Sequence, residues 1–396
     1  MKVDNKVDFN KAPDRRTTNA EKYVYREKLF GSQEVLPMWV ADMDIETPSF
    51  IMDAVQERAK HSVLGYEEAT DSMFEAQIDW VQKHYAYEMK REWMFMSPSV
   101  VGSINVAIKA FSQEGDKIIV QSPVYPKFYS SVTNNDRVIL ENPLKEKDGY
   151  FSMDFDALEA EIDEKTTMMI LCSPHNPVGR VWHEDELTRL GEICSKHNII
   201  IVADEVHSDL IYKGFNHTPL ASISKEIESR TVTCYGPGKT FNMAGLATST
   251  VVVPSDALRV KFKKAYESIY FGDGTIFGQI AFETAYLEGE SWLAGLIAHL
   301  QGNIDYLEIC LKEYMPSITM RAPEGTYLGW LDCRRLGLPQ EALEEFFYKE
   351  AKLGLSSGTG FGKVAEGFMR INLATPRATV EEAVSRLHTA YAARHF

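Results

Sequence analysis

Six short runs place the tightest limit on what this chain can fold into: Lys117-Val120, Val138-Leu140, Thr167-Cys172, Ile199-Ala203, Thr231-Cys234 and Thr248-Val253. They are rich in Ile and Val, and stretches of helical periodicity separate them, near 154-163 and 184-197 among others. Strands that are apolar throughout, rather than at every second residue, are covered on both faces. The expectation is an α/β fold whose mostly parallel sheet lies between helices. In such a sheet a ligand sits beyond the C-terminal ends of the strands, so the residues just after each run carry the chemistry.

Those residues are Ser122-Pro-Val-Tyr125-Pro, Ser173-Pro-His175-Asn176-Pro-Val-Gly179, Asp204-Glu-Val-His207 and Gly236-Pro-Gly-Lys239. Glycine at 236 and 238 and proline at 237 end a strand sharply, so Lys239 is expected on a tight turn rather than a solvated helix face. A desolvated lysine there can form a Schiff base. Each group also has an ordinary reading. Lys239 could lie on the surface, Asn176 could be a turn residue, Asp204-Glu205 an exposed pair, Tyr125 a packed aromatic and His207 a structural histidine. Taken together, a ring, an amide, a carboxylate and a lysine are what a pyridine aldehyde needs for stacking, for its phenolic oxygen, for its ring nitrogen and for covalent capture. Upstream, Ser97-Pro-Ser-Val-Val-Gly102-Ser103 opens a helix with Ile104, Ala107, Ile108 and Phe111 facing inward. Its N-terminal turn is either a phosphate site or a plain cap.

The flanks differ in pattern. Residues 1 to about 36 are polar and irregular, an arm that needs another surface to order it. Leu36-Pro-Met-Trp-Val-Ala-Asp-Met-Asp44 follows, apolar and closed by two carboxylates. Helical patterns cover Pro48 to Lys60 and Asp71 to Tyr85, with Gly65-Tyr66 in the loop between. After about 285 a long helix through Tyr314 precedes strands near 317-321, 326-331 and 368-373 and helices near 339-352 and 378-393. The domain expectation is 1-47 for the arm and part of a small domain, 48-285 for a large domain and 286-396 for a smaller α+β domain. Among the 396 residues, 57 acidic against 42 basic side chains leave a net charge of −15. That argues against a nucleic-acid or anionic-membrane partner. The five cysteines show no metal spacing and read as reduced core residues, the N-terminus has no apolar signal region, and no run is long enough to span a bilayer. The expected location is cytoplasmic, with no metal.

On Met38-Trp-Val-Ala-Asp-Met-Asp44, Gly65-Tyr66, Ser122-Pro-Val-Tyr125, Pro174-His-Asn-Pro-Val-Gly-Arg-Val-Trp182, Asp204-Glu-Val-His-Ser-Asp209, Lys239-Thr-Phe-Asn-Met-Ala-Gly245, Gly325-Thr-Tyr and Arg370-Ile-Asn-Leu-Ala-Thr-Pro-Arg377, the chain resembles the fold-type I, aspartate-aminotransferase-like pyridoxal-phosphate enzymes. Within them it resembles the cystathionine β-lyase or C-S lyase branch. The resemblance implies a seven-stranded sheet, pyridoxal 5'-phosphate as cofactor and a homodimer with shared active sites. By the same resemblance Lys239 would hold the cofactor covalently and act as the base, Asp204 would pair with the pyridine nitrogen, Asn176 would donate to the phenolic oxygen, and Tyr125 would stack on the ring. Val101, Gly102 and Ser103 would hold the phosphate, with Tyr66 reaching across from the partner subunit. His207 would be a cofactor-side contact, and Arg370 would clamp the substrate α-carboxylate. Two departures stand out: Gly238 where relatives carry a hydroxyl residue, and Ala247-Thr248 where many aminotransferases place an arginine. The implied reaction is β-elimination from L-cystathionine or a related S-substituted cysteine to thiol, pyruvate and ammonia. The alternatives are a class I/II aminotransferase, or a catalytically idle protein that keeps the fold as a binding or regulatory module.

Overall fold

The computed structural model describes residues 7–396; the first six residues of the expected arm lie outside them. A seven-stranded sheet runs in the order Met94–Ser97, Ser249–Val252, Thr231–Tyr235, Ile200–Asp204, Thr166–Cys172, Lys117–Val120, Val138–Glu141. Only Ser249–Val252 opposes its neighbours. The apolar runs now have a physical reason. Ile118, Val120, Met168, Ile170, Val202 and Val232 face one layer, packed with Ile104, Ile108 and Phe262 from helices. Their alternates Ile119, Met169, Leu171, Ile201 and Ala203 face the other, against Leu187, Leu190 and Ile193 of the helix Glu184–Lys196. Both faces are therefore dry, and burial of such side chains contributes about 1.5–3 kcal/mol each.

Register places the site. Cys172 pairs with Asp204 and Asp204 with Cys234, so three adjacent strands end level. The loops carrying Asn176, His207 and Lys239 thereby leave the sheet side by side.

A second, four-stranded antiparallel sheet comprises Thr319–Met320, Leu328–Asp332, Phe368–Asn372 and Ser356–Ser357. Helices Glu290–Tyr314 and Arg377–Arg394 contribute to its core through Leu300, Ile304, Leu307, Val380 and Leu387. The helix expected at 339-352 is Gln340–Glu345 continued by a π-helical turn, Phe346–Glu350. Several elements were not visible in the sequence pattern: the strand Met94–Ser97, the helix Pro126–Thr133 and the hairpin Lys145–Lys147 with Tyr150–Ser152. Each is too short to show a period.

The arm differs most from expectation. From residue 7 it lies on its own chain, with short helices Glu21–Val24 and Arg26–Phe30. Lys22 is 1% exposed and bridges Asp42 at 2.8 Å and Asp44 at 2.9 Å; Arg15 reaches the same carboxylates at 2.6 and 2.8 Å. Two cations matched to two anions bury what a polar sequence pattern suggests is solvated. Leu36–Pro37 then pairs in parallel with Leu353–Gly354, a separate two-stranded ribbon that ties the arm to the C-terminal part of the chain. No helix of the described residues is long and apolar enough to cross a membrane.

Candidate active site

The site lies between the level strand ends of the large sheet and the segment Trp39–Asp44. The strand Thr231–Tyr235 stops at Gly236-Pro-Gly238, and both glycines sit close against neighbouring chain. A Cβ at 236 would lie 3.1 Å from Ser249 Cβ, and one at 238 would lie 3.3 Å from Ala244 Cα. A side chain at 238 would thus press on a turn folded back on Ala244.

Lys239 leaves this turn with its Nζ donating to Ala41 O at 2.5 Å. Burial, helped by the nearby Arg370 charge, lowers its pKa to about 8, while Asp42 and Asp204 pull the other way. Neighbours fix the turn: Thr240 Oγ1 donates to Asp209 at 2.7 Å, and Asp209 also accepts from Trp80 Nε1 and Tyr85. Asn242 accepts from Met43 N at 3.0 Å and donates to Ile45 O at 2.7 Å, holding Met43–Ile45 against the lysine turn. The motif Lys-Thr-Phe-Asn is thus a lysine with two anchors.

Asp204 is buried and accepts only the Val206 N–H, at 3.2 Å. Desolvation raises its pKa to about 6, against the opposing pull of that hydrogen bond and of Lys239. His207 is buried, its Nδ1 has no partner, and its ring meets Tyr327 edge-on at 5.7 Å. Burial and the charges of Lys239 and Arg370 hold it neutral.

Arg370 rises from Phe368–Asn372, 5% exposed, and donates to Asn176 Oδ1 at 3.0 Å, Trp39 O at 2.7 Å and Ser356 Oγ at 3.3 Å. All three acceptors are neutral, Nε is unpartnered, and among the described residues no carboxylate pairs with it. Burial lowers its pKa to about 10, so it stays charged at neutral pH. A buried guanidinium without an anion is prepared for one supplied from outside.

Tyr125 caps the helix Pro126–Thr133, and its phenol pKa is raised by burial and then by Asp204. At the start of Val100–Phe111, Ser99 Oγ accepts from Gly102 N at 3.0 Å and Ser99 O accepts from Ser103 N at 3.0 Å. Of the three expected phosphate residues, only Val101 keeps a backbone N–H without an acceptor among the described residues. Thr248, next to Ser249 in the register Ser249↔Ser97, has a buried hydroxyl with no partner beside that turn. Tyr66 stands apart, fully exposed in a stretch without regular structure. Asp42, Asn372, Tyr327 and Thr248 belong to the site without having been assigned to it from sequence. Asn372 donates to Val40 O and Asp42 O, each at 2.5 Å, and Tyr327 to Ala41 O at 2.8 Å. Among the described residues, no three His, Cys, Asp or Glu side chains are arranged to hold a metal ion.

Fold and site define a fold-type I enzyme of the pyridoxal-phosphate class. The model of the family "Aminotransferase class I and II" matches residues 34–387, and the chain belongs to that family. It is 39% identical over 385 residues to the cystathionine beta-lyase PatB of Bacillus subtilis, covering 97% of this chain and 100% of that one. It is 29% identical to the protein MalY of Escherichia coli, covering 96% of this chain and 97% of MalY. Among solved structures, cystalysin of Treponema denticola, which contains pyridoxal 5'-phosphate, superposes with a TM-score of 0.95 at 32% identity, covering 98% of this chain and 99% of that one.

Proposed function

We propose that the protein is a pyridoxal-phosphate-dependent carbon-sulfur β-lyase, releasing thiol, pyruvate and ammonia from L-cystathionine or a related S-substituted cysteine. The observation that carries amino-acid chemistry is Arg370, charged, buried and without an anion beside a lysine of lowered pKa. The choice of elimination rests on full-length likeness to PatB and cystalysin.

The residues fit the cofactor. His207 Nδ1, Arg370 Nε and Thr248 Oγ1 are buried without partners around Lys239, and Asp204 awaits a cation. Lys239 would hold the aldehyde carbon, Asp204 the pyridine nitrogen, Asn176 and His207 the phenolic oxygen and Tyr125 the ring face. Val101 N–H and Thr248 Oγ1 would serve the phosphate, with Gly102 and Ser103 lining it and Tyr66 of the partner subunit closing it. When bound, pyridoxal phosphate supplies an electron sink for negative charge at the substrate Cα.

The chain's own part is orientation and proton transfer. Arg370 takes the α-carboxylate bidentately, which aims Cα at Lys239. With a pKa of about 8, against 10.5 for an unperturbed lysine, a minor but usable fraction of the Lys239 amine is neutral at physiological pH and can take the Cα proton. Asp204 would sit beside the pyridine nitrogen, where a cation would favour its ionised form and the carboxylate would in turn favour a protonated nitrogen. The segment Trp39–Asp44 covers the lysine with carbonyl oxygens and excludes bulk water.

The full exposure of Tyr66 supports a homodimer with shared sites. The two sheets, confined to 94–252 and 319–372, support division near 48 and 285. Five free, buried cysteines support a reducing, cytoplasmic setting. The test is an absorption spectrum of the cofactor-loaded protein before and after L-cystathionine, with pyruvate assayed in the same cuvette. A visible band that shifts as pyruvate accumulates is expected. A shift without pyruvate, with amino transfer to added keto acids, would replace the lyase by an aminotransferase, and no band in the loaded protein would leave a binding module.

A further inference from the structure

A second cavity, of about 860 Å³, opens between the hairpin Lys145–Lys147/Tyr150–Ser152 and the edge of the four-stranded sheet. None of the residues placed in the active site lines it. Its volume is in the range of small-molecule sites. Its floor is aromatic: Trp330 and Phe368 stack 5.2 Å apart at 8°, with Phe151 beside them, all buried. The Trp330 indole N–H, in a side chain 6% exposed, has no acceptor. A buried donor left unmet is destabilising.

The rim carries charge that the fold does not neutralise. Arg334 consumes Asp332 and Glu146, at 2.7 and 3.1 Å. Lys147, Arg321 and Arg335 line the cavity with no carboxylate partner among the described residues, against one unpaired acid, Asp148. Arg321 is held in place with its guanidinium 4.7 Å over the Tyr150 ring. On a chain of net charge −15, unpaired cations over an aromatic floor with an unmet donor form a built feature.

We propose that this cavity binds a small planar organic anion, a ring bearing a phosphate or carboxylate. The ring sits against the Trp330 edge, beside the Arg334 guanidinium that lies 4.7 Å over Phe368, and the anion is held by Arg321 and Arg335. The site also has a packed route to the catalytic centre. Trp330 pairs with Arg370 across the sheet, and Phe361 touches both, 5.5 Å from the Trp330 ring and 4.8 Å from the Arg370 guanidinium.

The test is calorimetric titration of the cofactor-loaded protein with phenyl phosphate, benzoate, inorganic phosphate and benzyl alcohol. Saturable binding of phenyl phosphate or benzoate is expected, at least tenfold tighter than inorganic phosphate or benzyl alcohol. The exposed pair Arg321→Ala/Arg335→Ala should weaken it at least tenfold with turnover retained. Trp330→Phe, which keeps the ring and removes the N–H, should weaken it several-fold. No saturable binding of either ring anion, inorganic phosphate binding as tightly, or binding unchanged in the double variant would each overturn the proposal; the last would place the anion at Arg370.

Discussion

The two walls of the active site handle charge in different ways. On the large-sheet wall, Asp204 and His207 are buried and Lys239 is half-buried at level strand ends, and among the described residues none of them makes an ion pair. On the facing wall, Asp42 and Asp44 are matched by Arg15 and Lys22, and the carbonyls from Trp39 to Asp42 accept from Arg370, Asn372, Tyr327 and Lys239. One wall stores unmet electrostatic demand, and the other is already satisfied. The first is built to be completed by a ligand, the second to stay rigid while that happens.

Removing the lysine breaks the unsatisfied wall most completely. Lys239→Ala should lower pyruvate release by about 10³-fold or more, since it removes the residue proposed as both covalent anchor and base. Circular dichroism should be unchanged, because the turn keeps its Thr240 and Asn242 anchors.

Two substitutions of similar size should then act with opposite sign. Asp204 has a folded pKa of about 6 against 3.8 for an unperturbed carboxyl. A raised folded pKa means its contribution to stability is fully present below the unfolded pKa and is lost as pH rises through the folded one. In the cofactor-free protein, Asp204→Asn should therefore match wild type below about pH 4. Above about pH 6 it should be more stable by up to about 3 kcal/mol, while elimination activity falls. On the other wall, Lys22→Met leaves two carboxylates sharing Arg15 and should cost about 3 kcal/mol, read as a lower denaturation midpoint at neutral pH. If both variants shifted stability in the same direction, the contrast between the walls would be wrong.

The same contrast governs how much could be read from the sequence. The large-sheet wall is written locally, since each functional residue follows an apolar strand within a few positions, and level register does the rest. Asp42 and Asp44 were legible as two carboxylates closing an apolar run. Their cations were not, because Arg15 and Lys22 lie in a stretch whose pattern is irregular and whose order depends on the pairing itself. Arg370 was legible in its motif, yet its contact with Trp39, 331 positions away, follows from packing between the sheet and the segment. The Gly102 and Ser103 amides were assigned to phosphate by the family resemblance, while the helix N-terminus alone left a plain cap open. The Ser99 cap engages both, and the unpartnered Thr248 hydroxyl has no local signature at all.

The smallest effect asks which wall sets the charge on the lysine. Asp42 and Asp204 both hold the Lys239 pKa up against burial, with Asp42 the stronger of the two. Asp42 belongs to the satisfied wall, where Lys22 and Arg15 already neutralise much of its field. Asp42→Asn should still lower the lysine pKa below about 8, by less than about one unit, because Asp204 and the burial remain. The observable is the pH at which cofactor-free protein captures pyridoxal phosphate at half its maximal rate. Near 8 is expected in wild type, lower in Asp42→Asn, and intermediate in Asp204→Asn. A larger shift from Asp204→Asn than from Asp42→Asn would mean that the strand ends alone tune the base, and that the facing wall serves only to exclude water.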